Sequence, residues 1–233
     1  MADRALYADA ALALEQATAS GDDLCGPLVA AIGMSGAAVS TLGDPLGNET
    51  LCASDDHAAR LDEIQLDLGE GPCWLAAATR RPVLEPDVRG SGDPTWPLAR
   101  QAMHENGLGA VFAFPLVVAG LSLGAVDLYS RTARDISHQQ VTDATSLTRI
   151  VARQVLRRAL LAADDPQEDT GSWEGRFSRR EVHQATGMVV AQMGIPPADA
   201  LLVLRGHAFA TGRSVRDVAE DVVGRVLDFT PDR

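Results

Sequence analysis

The chain has 233 residues and a net charge of −12, and all 20 of its basic residues are Arg. Hydrophobic residues make up 46% and charged residues 22%, which excludes a disordered chain and leaves room for one large folded domain or two small ones. Residues 173–233 balance 8 Arg against 8 acids while residues 1–172 carry 12 Arg against 24 acids, so the acidic body repels nucleic acid at long range and confines any such contact to the tail.

Residues 1–20 are Ala-rich, but Asp3, Arg4, Asp9 and Glu15 interrupt them, so no secretory segment is expected there. A helix is predicted over 8–19 and strands over 36–42 and 49–54, joined by a turn-rich segment holding Gly43, Asp44, Pro45, Gly47 and Asn48. Residues 57–67 suit a helix. Gly69, Glu70 and Gly71 then break the chain, and Pro72 opens a further helix running to 79. A short strand is predicted over 82–85, and a helix over 94–106 with Gly107 as its C-terminal cap. Residues 108–126 carry no charge over a span that nominally reaches bilayer length. Gly109, Pro115, Gly120, Ser122 and Gly124 lie within it, so two buried strands, 111–118 and 121–129, joined by a hairpin are expected, and no membrane span. Cys25, Cys52 and Cys73 are odd in number and lack C-x-x-C spacing, so the expectation is a reduced, cytoplasmic protein with buried thiols.

Residues 137–163 read as one long helix with Val141, Ala144, Leu147, Val151, Val155 and Ala159 on a stripe and Leu156 and Leu160 off it. A helix apolar on more than one side packs on its own sheet and on a partner, so a homodimer is expected; the alternative is one well-covered helix. Residues 164–172 are acidic, contain Pro166 and Gly171, and read as a linker. The boundaries are therefore a first domain over 1–163, a linker over 164–172 and a helical domain over 173–233.

The order of elements describes an α+β domain, an antiparallel sheet flanked by helices, followed by an all-α three-helix bundle. The first domain resembles the GAF family, through Leu68-Gly69-Glu70-Gly71-Pro72-Cys73, Arg81-Pro82-Val83 with Pro86-Asp87, and the hairpin holding Phe114-Pro115-Leu116, Gly120 and Leu123 to Tyr129. The resemblance implies a domain that senses a partner or an unknown small-molecule ligand.

In the tail, Ser178 and Glu181 form a capping box, and Phe177 and Val182 a hydrophobic staple. The helix they start places Val182, Ala185, Val189 and Met193 on one face and ends at Gly194. A second helix begins at Pro196-Pro197, buries Leu201, Leu204 and Ala208, and stops at Gly212. Ser214 caps a third, with Asp217 at the matching acidic position and Val215, Ala219, Val222 and Val226 inward. These residues resemble the ANTAR family, through Gln184-Ala185-Thr186-Gly187-Met188, Ala200 with Leu204-Arg205, Ala208, and Val215 with Asp217-Val218-Ala219 and Val222-Val223. The resemblance implies an RNA-binding transcription antitermination regulator that binds hairpin RNA in nascent transcripts, typically as a dimer. Where the family often carries Lys between Ala and Gly in the first helix, this chain has Thr186, which removes a phosphate contact.

Opposite the apolar stripe of that first helix stand Arg180, Gln184, Gly187 and Ala191, bordered by Arg179, His183 and Thr186. A mid-helix Gly costs about 1 kcal/mol relative to Ala, and a face of small and polar groups permits close approach of a backbone. The face reads as an RNA platform or as a packing surface in a dimer. Arg205, Arg213 and Arg216 complete the candidate RNA-binding set, since guanidinium groups grip phosphate or stack on unpaired bases. Trp173 and Phe177 suit base stacking or packing against the bundle. Asp217, Glu220, Asp221 and Asp228 give the third helix an acidic outer face, which argues against a major-groove reader of DNA.

Two rivals stand beside the regulator. Some GAF-type domains resemble a cysteine-using reductase of free methionine sulfoxide, and Cys73 follows Pro72 near a helix start, a setting that favours thiolate. A scaffold acting through protein contacts without RNA binding is the other. His57, His104, His138, His183 and His207 form no ligand-spaced pairs, so no metal and no cofactor are expected, and the chain is read as a non-enzyme.

Overall fold

The computed structural model describes residues 2–19, 21–90, 94–164 and 179–230. It divides into two units, Met1–Ser178 and Arg179–Arg233, and residues 165–172 of the expected linker lie outside the described residues.

In the first unit, strands β1 (Gly36–Thr41), β2 (Glu49–Ala53), β3 (Val83–Glu85), β4 (Ala110–Val118) and β5 (Leu121–Ser130) form an antiparallel sheet in the order β2-β1-β5-β4-β3. The uncharged run foreseen as a hairpin is β4 and β5, at the middle of the sheet and buried along most of its length. No single helix among the described residues is long and apolar enough to cross a membrane. Alternation sorts each strand between two cores. Val39, Phe112, Phe114, Val126 and Leu128 join one cluster with helices α1 (Ala2–Gln16), α2 (Gly26–Ile32) and α6 (His138–Asp164). On the opposite face, Ala38, Val111 and Tyr129 meet α3 (Asp56–Leu68) and α5 (Pro97–Glu105), while Ala125 meets α4 (Pro72–Thr79). Short α2 was absent from the sequence reading; seven residues give too little periodicity to see.

The Gly69-Glu70-Gly71-Pro72 turn joins three helices. Gly69 ends α3 in the left-handed region, and Gly71, at φ 135°, starts α4 with Pro72 in its first turn. A Cβ on Gly71 would stand 2.6 Å from Gln65 Oε1, so glycine is needed there to let Gln65 reach past. Between them Glu70 Oε1 accepts from the backbone N–H groups of Leu98 and Ala99, at 2.7 and 2.9 Å, and so caps α5 from a distance. That helix needs it, because Trp96 at its N-cap offers no side-chain acceptor.

The long helix is 27 residues, about 40 Å at 1.5 Å per residue. Ala144, Leu147, Val151 and Val155 are buried as expected, whereas Leu160 and Leu161 are more than half exposed. Its polar side chains hold the corner between α1 and α2. Gln154 Nε2 donates to the carbonyls of Leu14 and Glu15, Arg158 to that of Ala17 at 3.0 Å, and Gln140 to that of Ile32 at 2.7 Å.

One expectation fails here. Cys25 and Cys52 are not thiols but a disulfide, with Cα atoms 6.3 Å apart, and only Cys73 remains free and buried. The pair is 27 residues apart in sequence, and nothing local announces it; α2 packs on β1, the strand beside β2, and that brings the two sulfurs together.

In the second unit, α7 (Arg180–Met193), α8 (Pro197–Thr211) and α9 (Val215–Val223) pack around Val182, Ala185, Val189, Ala200, Leu204, Ala208, Val215, Val218, Ala219 and Val222. Gly194 and Gly212 end the first two helices in the left-handed region, as read. Ser178 and Phe177 of the expected capping box and staple lie outside the described residues; Arg179 occupies the N-cap of α7 without a side-chain cap. Two inward assignments change. Leu201 is only half-buried, and Val226 is 80% exposed because Arg225, at φ 59°, turns the chain out of the helical path.

Ser214 and Asp217 form the full capping box of α9: the Ser214 hydroxyl accepts from the Asp217 N–H, and Asp217 accepts from the Ser214 N–H. Ser214→Ala is expected to cost about 1 kcal/mol, read as roughly fivefold faster hydrogen exchange at α9 amides in the intact chain. An unchanged rate would show that α9 is held by its core contacts alone.

Candidate nucleic-acid interface

Helix α7 buries Val182, Ala185 and Val189, so its opposite side faces solvent, and Arg180, His183, Gln184, Gly187 and Ala191 are all exposed there. The spacing of three and four residues lines them up on one face. Among the described residues, no atom beyond its adjoining residues and the nearby backbone of its own helix lies within 4 Å of where a Cβ on Gly187 would stand. Packing within the bundle therefore gives no reason for a glycine that costs helix stability.

The remaining residues read from sequence do not all join this face. Arg179 is only 5% exposed; it precedes the helix, with ψ 26° at the N-cap, so the wheel that placed it on the border does not apply. The Thr186 hydroxyl donates to the Val182 carbonyl at 2.7 Å, leaving that group engaged inside the helix. Arg213 is exposed, and its guanidinium donates to the Asp221 carboxylate at 2.6 Å and to the Asp217 carbonyl at 3.1 Å. It lies against the acidic side of α9. Arg205 on α8 and Arg216 on α9 are half-buried. Sequence reasoning passed over Phe209 and Leu202, each 65% exposed on α8; Phe209 stands four residues from Arg205, on the same face. Reading α8 only for its buried stripe concealed them.

The sheet unit holds a second cluster of polar groups, between the sheet and α3–α4. Asp62 is fully buried and accepts from the hydroxyls of Ser40 and Thr50. On β5, Asp127 alternates with Val126 and Leu128 and so faces α3, where Gln65 Nε2 donates to its Oδ2 at 2.7 Å. Gln65 Oε1 in turn accepts from the Cys73 N–H at 2.8 Å. The other Asp127 oxygen, Oδ1, has no hydrogen-bond partner among the described residues. Burial, reinforced by the charge of Asp62, pushes the Asp127 carboxyl up to about 8 against the pull of the Gln65 amide. Burial, then Asp127 and Asp62, push the Cys73 thiol well above its ordinary value. Among the described residues no group of three His, Cys, Asp or Glu side chains is placed to hold a metal ion. His104 and His138 are both exposed.

Comparison with known proteins follows this division. The GAF domain family model matches residues 17–158 and the ANTAR domain family model residues 177–223. No curated protein matches. Among solved structures, the GAF domain of a phosphoenolpyruvate-protein phosphotransferase from Acinetobacter is 8% identical, with a TM-score of 0.54 over 70% of this chain and 98% of that one. The corresponding domain from Coxiella burnetii is 16% identical, with a TM-score of 0.50 over 69% and 94%. At such identities the likeness shows the fold alone. A type II free methionine-R-sulfoxide reductase from Thermoplasma acidophilum, 20% identical over 51% of this chain and 75% of that one, has a TM-score of 0.36, too low to carry an argument about activity.

Proposed function

The chain belongs to the GAF family and carries an ANTAR domain after it, and on that premise we propose that it regulates transcription by binding hairpin RNA in nascent transcripts. The observation that carries this reading is the exposed face of α7, where Arg180, His183 and Gln184 surround Gly187 in open space. A phosphate backbone can approach such a surface closely, with Arg180 supplying charge and Gln184 a hydrogen-bonding amide. The sheet unit supplies the input, a ligand or partner, and α6 supports pairing of two chains through Leu160 and Leu161, which stand exposed near its end.

The role is regulatory rather than catalytic. Cys73, the thiol placed by sequence where a nucleophile would sit, is buried and its pKa is raised, opposite to what a reactive thiolate needs.

Titration of the whole chain with hairpin RNA from its own upstream leader, at about 50 and about 200 mM salt, tests the reading. Binding is expected to be sequence-selective and to weaken with salt, and Arg180→Ala to lower the log–log salt slope by about 0.7 to 0.9. Gly187→Ala is expected to act in two directions, stabilising α7 by up to about 1 kcal/mol while weakening RNA. Absent or sequence-blind binding at both salts would move the function to a scaffold acting through protein contacts. The burial of Arg179 and the pairing of Arg213 with Asp221 favour that second reading.

A further inference from the structure

We propose that Cys25 and Cys52 form a reversible thiol–disulfide switch, and that the redox state of this pair is an input the sheet unit senses. The proposal deepens the regulatory reading above and rests on it only for the output. The bond ties together two elements that share one core cluster, in which Cys25 is buried and against which Cys52 packs. Cys25 stands at the N-cap of α2, and Cys52 lies in β2, the edge strand of the sheet. Opening it removes the covalent tie between the α1–α2 corner and the sheet edge, and that same corner is held by α6. Gln154 and Arg158 bind the carbonyls of Leu14, Glu15 and Ala17, at one end of the corner, and Gln140 binds that of Ile32, at the other. The cross-link therefore acts on the segment that the long helix grips, and α6 is the helix that leads in sequence to the ANTAR domain.

Accessibility sets the direction of the chemistry. Cys25 is 1% exposed, whereas Cys52 is half-buried on a strand with every residue partly exposed. A dithiol reductant attacks the Cys52 sulfur as thiolate, forming a mixed disulfide and releasing Cys25 as a thiolate that takes a proton. The second thiol of the reductant then displaces Cys52, which is protonated too. The protein gains two electrons and two protons, and the reductant leaves as its cyclic disulfide. In reverse, the Cys52 thiolate attacks a peroxide oxygen to give a sulfenic acid and water, and Cys25 displaces the second water as the disulfide closes. The third cysteine stays out of this exchange. Cys73 lies on the other face of the sheet, fully buried in the cluster of Leu42, Leu66 and Ala125, with its thiol held protonated. The three cysteines thus act as a reactive pair and one spectator.

The test uses the intact chain. Reduction with dithiothreitol, followed by iodoacetamide labelling and mass spectrometry, is expected to mark Cys25 and Cys52 under native conditions and Cys73 only after denaturation. Hydrogen exchange is expected to quicken by about tenfold in residues 14–33 and in the facing turns of α6, and one equivalent of hydrogen peroxide to restore protection. Cys52→Ser is expected to match the reduced protein and to ignore reductant. The wild-type arms stand by themselves if that variant does not fold. A bond that native dithiothreitol never opens overturns the proposal. So does reduction that leaves exchange in α6 unchanged. If exchange switches with redox state but no RNA binds in either state, the switch stands and the RNA reading falls.

Discussion

Replacing Gly124 by Ala is expected to destabilise the sheet unit strongly. Gly124 lies in β5 at φ 153°, paired with Thr41 of β1 and Leu116 of β4. A Cβ there would stand 1.9 Å from the Ser40 carbonyl oxygen and 2.8 Å from Thr41 Cα. Both are backbone atoms, so no side-chain rotation relieves the overlap; β1 must move away from β5. That seam joins β1 and β2 to the rest of the sheet, and prising it apart opens both cores at once. An effect on the order of 3–5 kcal/mol is expected, above the usual cost of overpacking because backbone rather than side chain must yield. It is read as a fall of roughly 10 °C or more in the unfolding of this unit, with amide exchange in α7–α9 as the internal control. A shift of a degree or two would show that β5 can slide past β1 without loss.

The second large effect is a change in pH dependence. Between about pH 4 and about pH 8 the folded chain holds a proton on Asp127 that the unfolded chain releases, since the carboxyl is raised from 3.8 to about 8. The folded state binds more protons there, so stability falls as pH rises across that window, by up to about 1.4 kcal/mol per pH unit. Below the window the contribution is fully present, and above it the contribution is gone. Asp127→Asn removes the ionisation while keeping an oxygen to accept from Gln65. The variant is expected to match wild type near about pH 4 and to exceed it by several kcal/mol near about pH 8, measured as urea midpoints across the range. Cys73 stays out of this window, because its raised value acts only above the ordinary thiol range. Parallel profiles would mean that Asp127 is charged when folded and that its unpartnered oxygen is solvated.

Much of the architecture was legible because its signals are local. Pro72 after Gly71, the Ala119-Gly120 hairpin, Gly194 and Gly212, and the Ser214–Asp217 box each fix a boundary through the conformations their own residues allow. What escaped the sequence depends on tertiary neighbours. Asp62 and Asp127 are 65 residues apart in sequence and share a buried environment only because α3 lies across β5; their apolar neighbours, Leu61 beside one and Val126 and Leu128 beside the other, mark each strand or helix but not the pairing. Cys25 and Cys52 meet for the same kind of reason. At the candidate interface, periodicity placed Arg180, His183, Gln184 and Gly187 along one side of α7, and they are exposed there. It failed for Arg179 and Arg213, which lie at or beyond a helix end, where turn geometry and a nearby carboxylate decide the direction of the side chain.

Leu14 is fully buried, yet it precedes residue 17, where the likeness to the GAF family begins. Trimming a fragment to the limits of that likeness would discard α1 and strip cover from the cluster that holds Val151 and Val155. The Gln154 amide would lose both of the carbonyls that now receive it. Family alignment thus marks what relatives share, whereas the smallest piece that stays dissolved and folded is marked by burial, and here it starts a helix earlier.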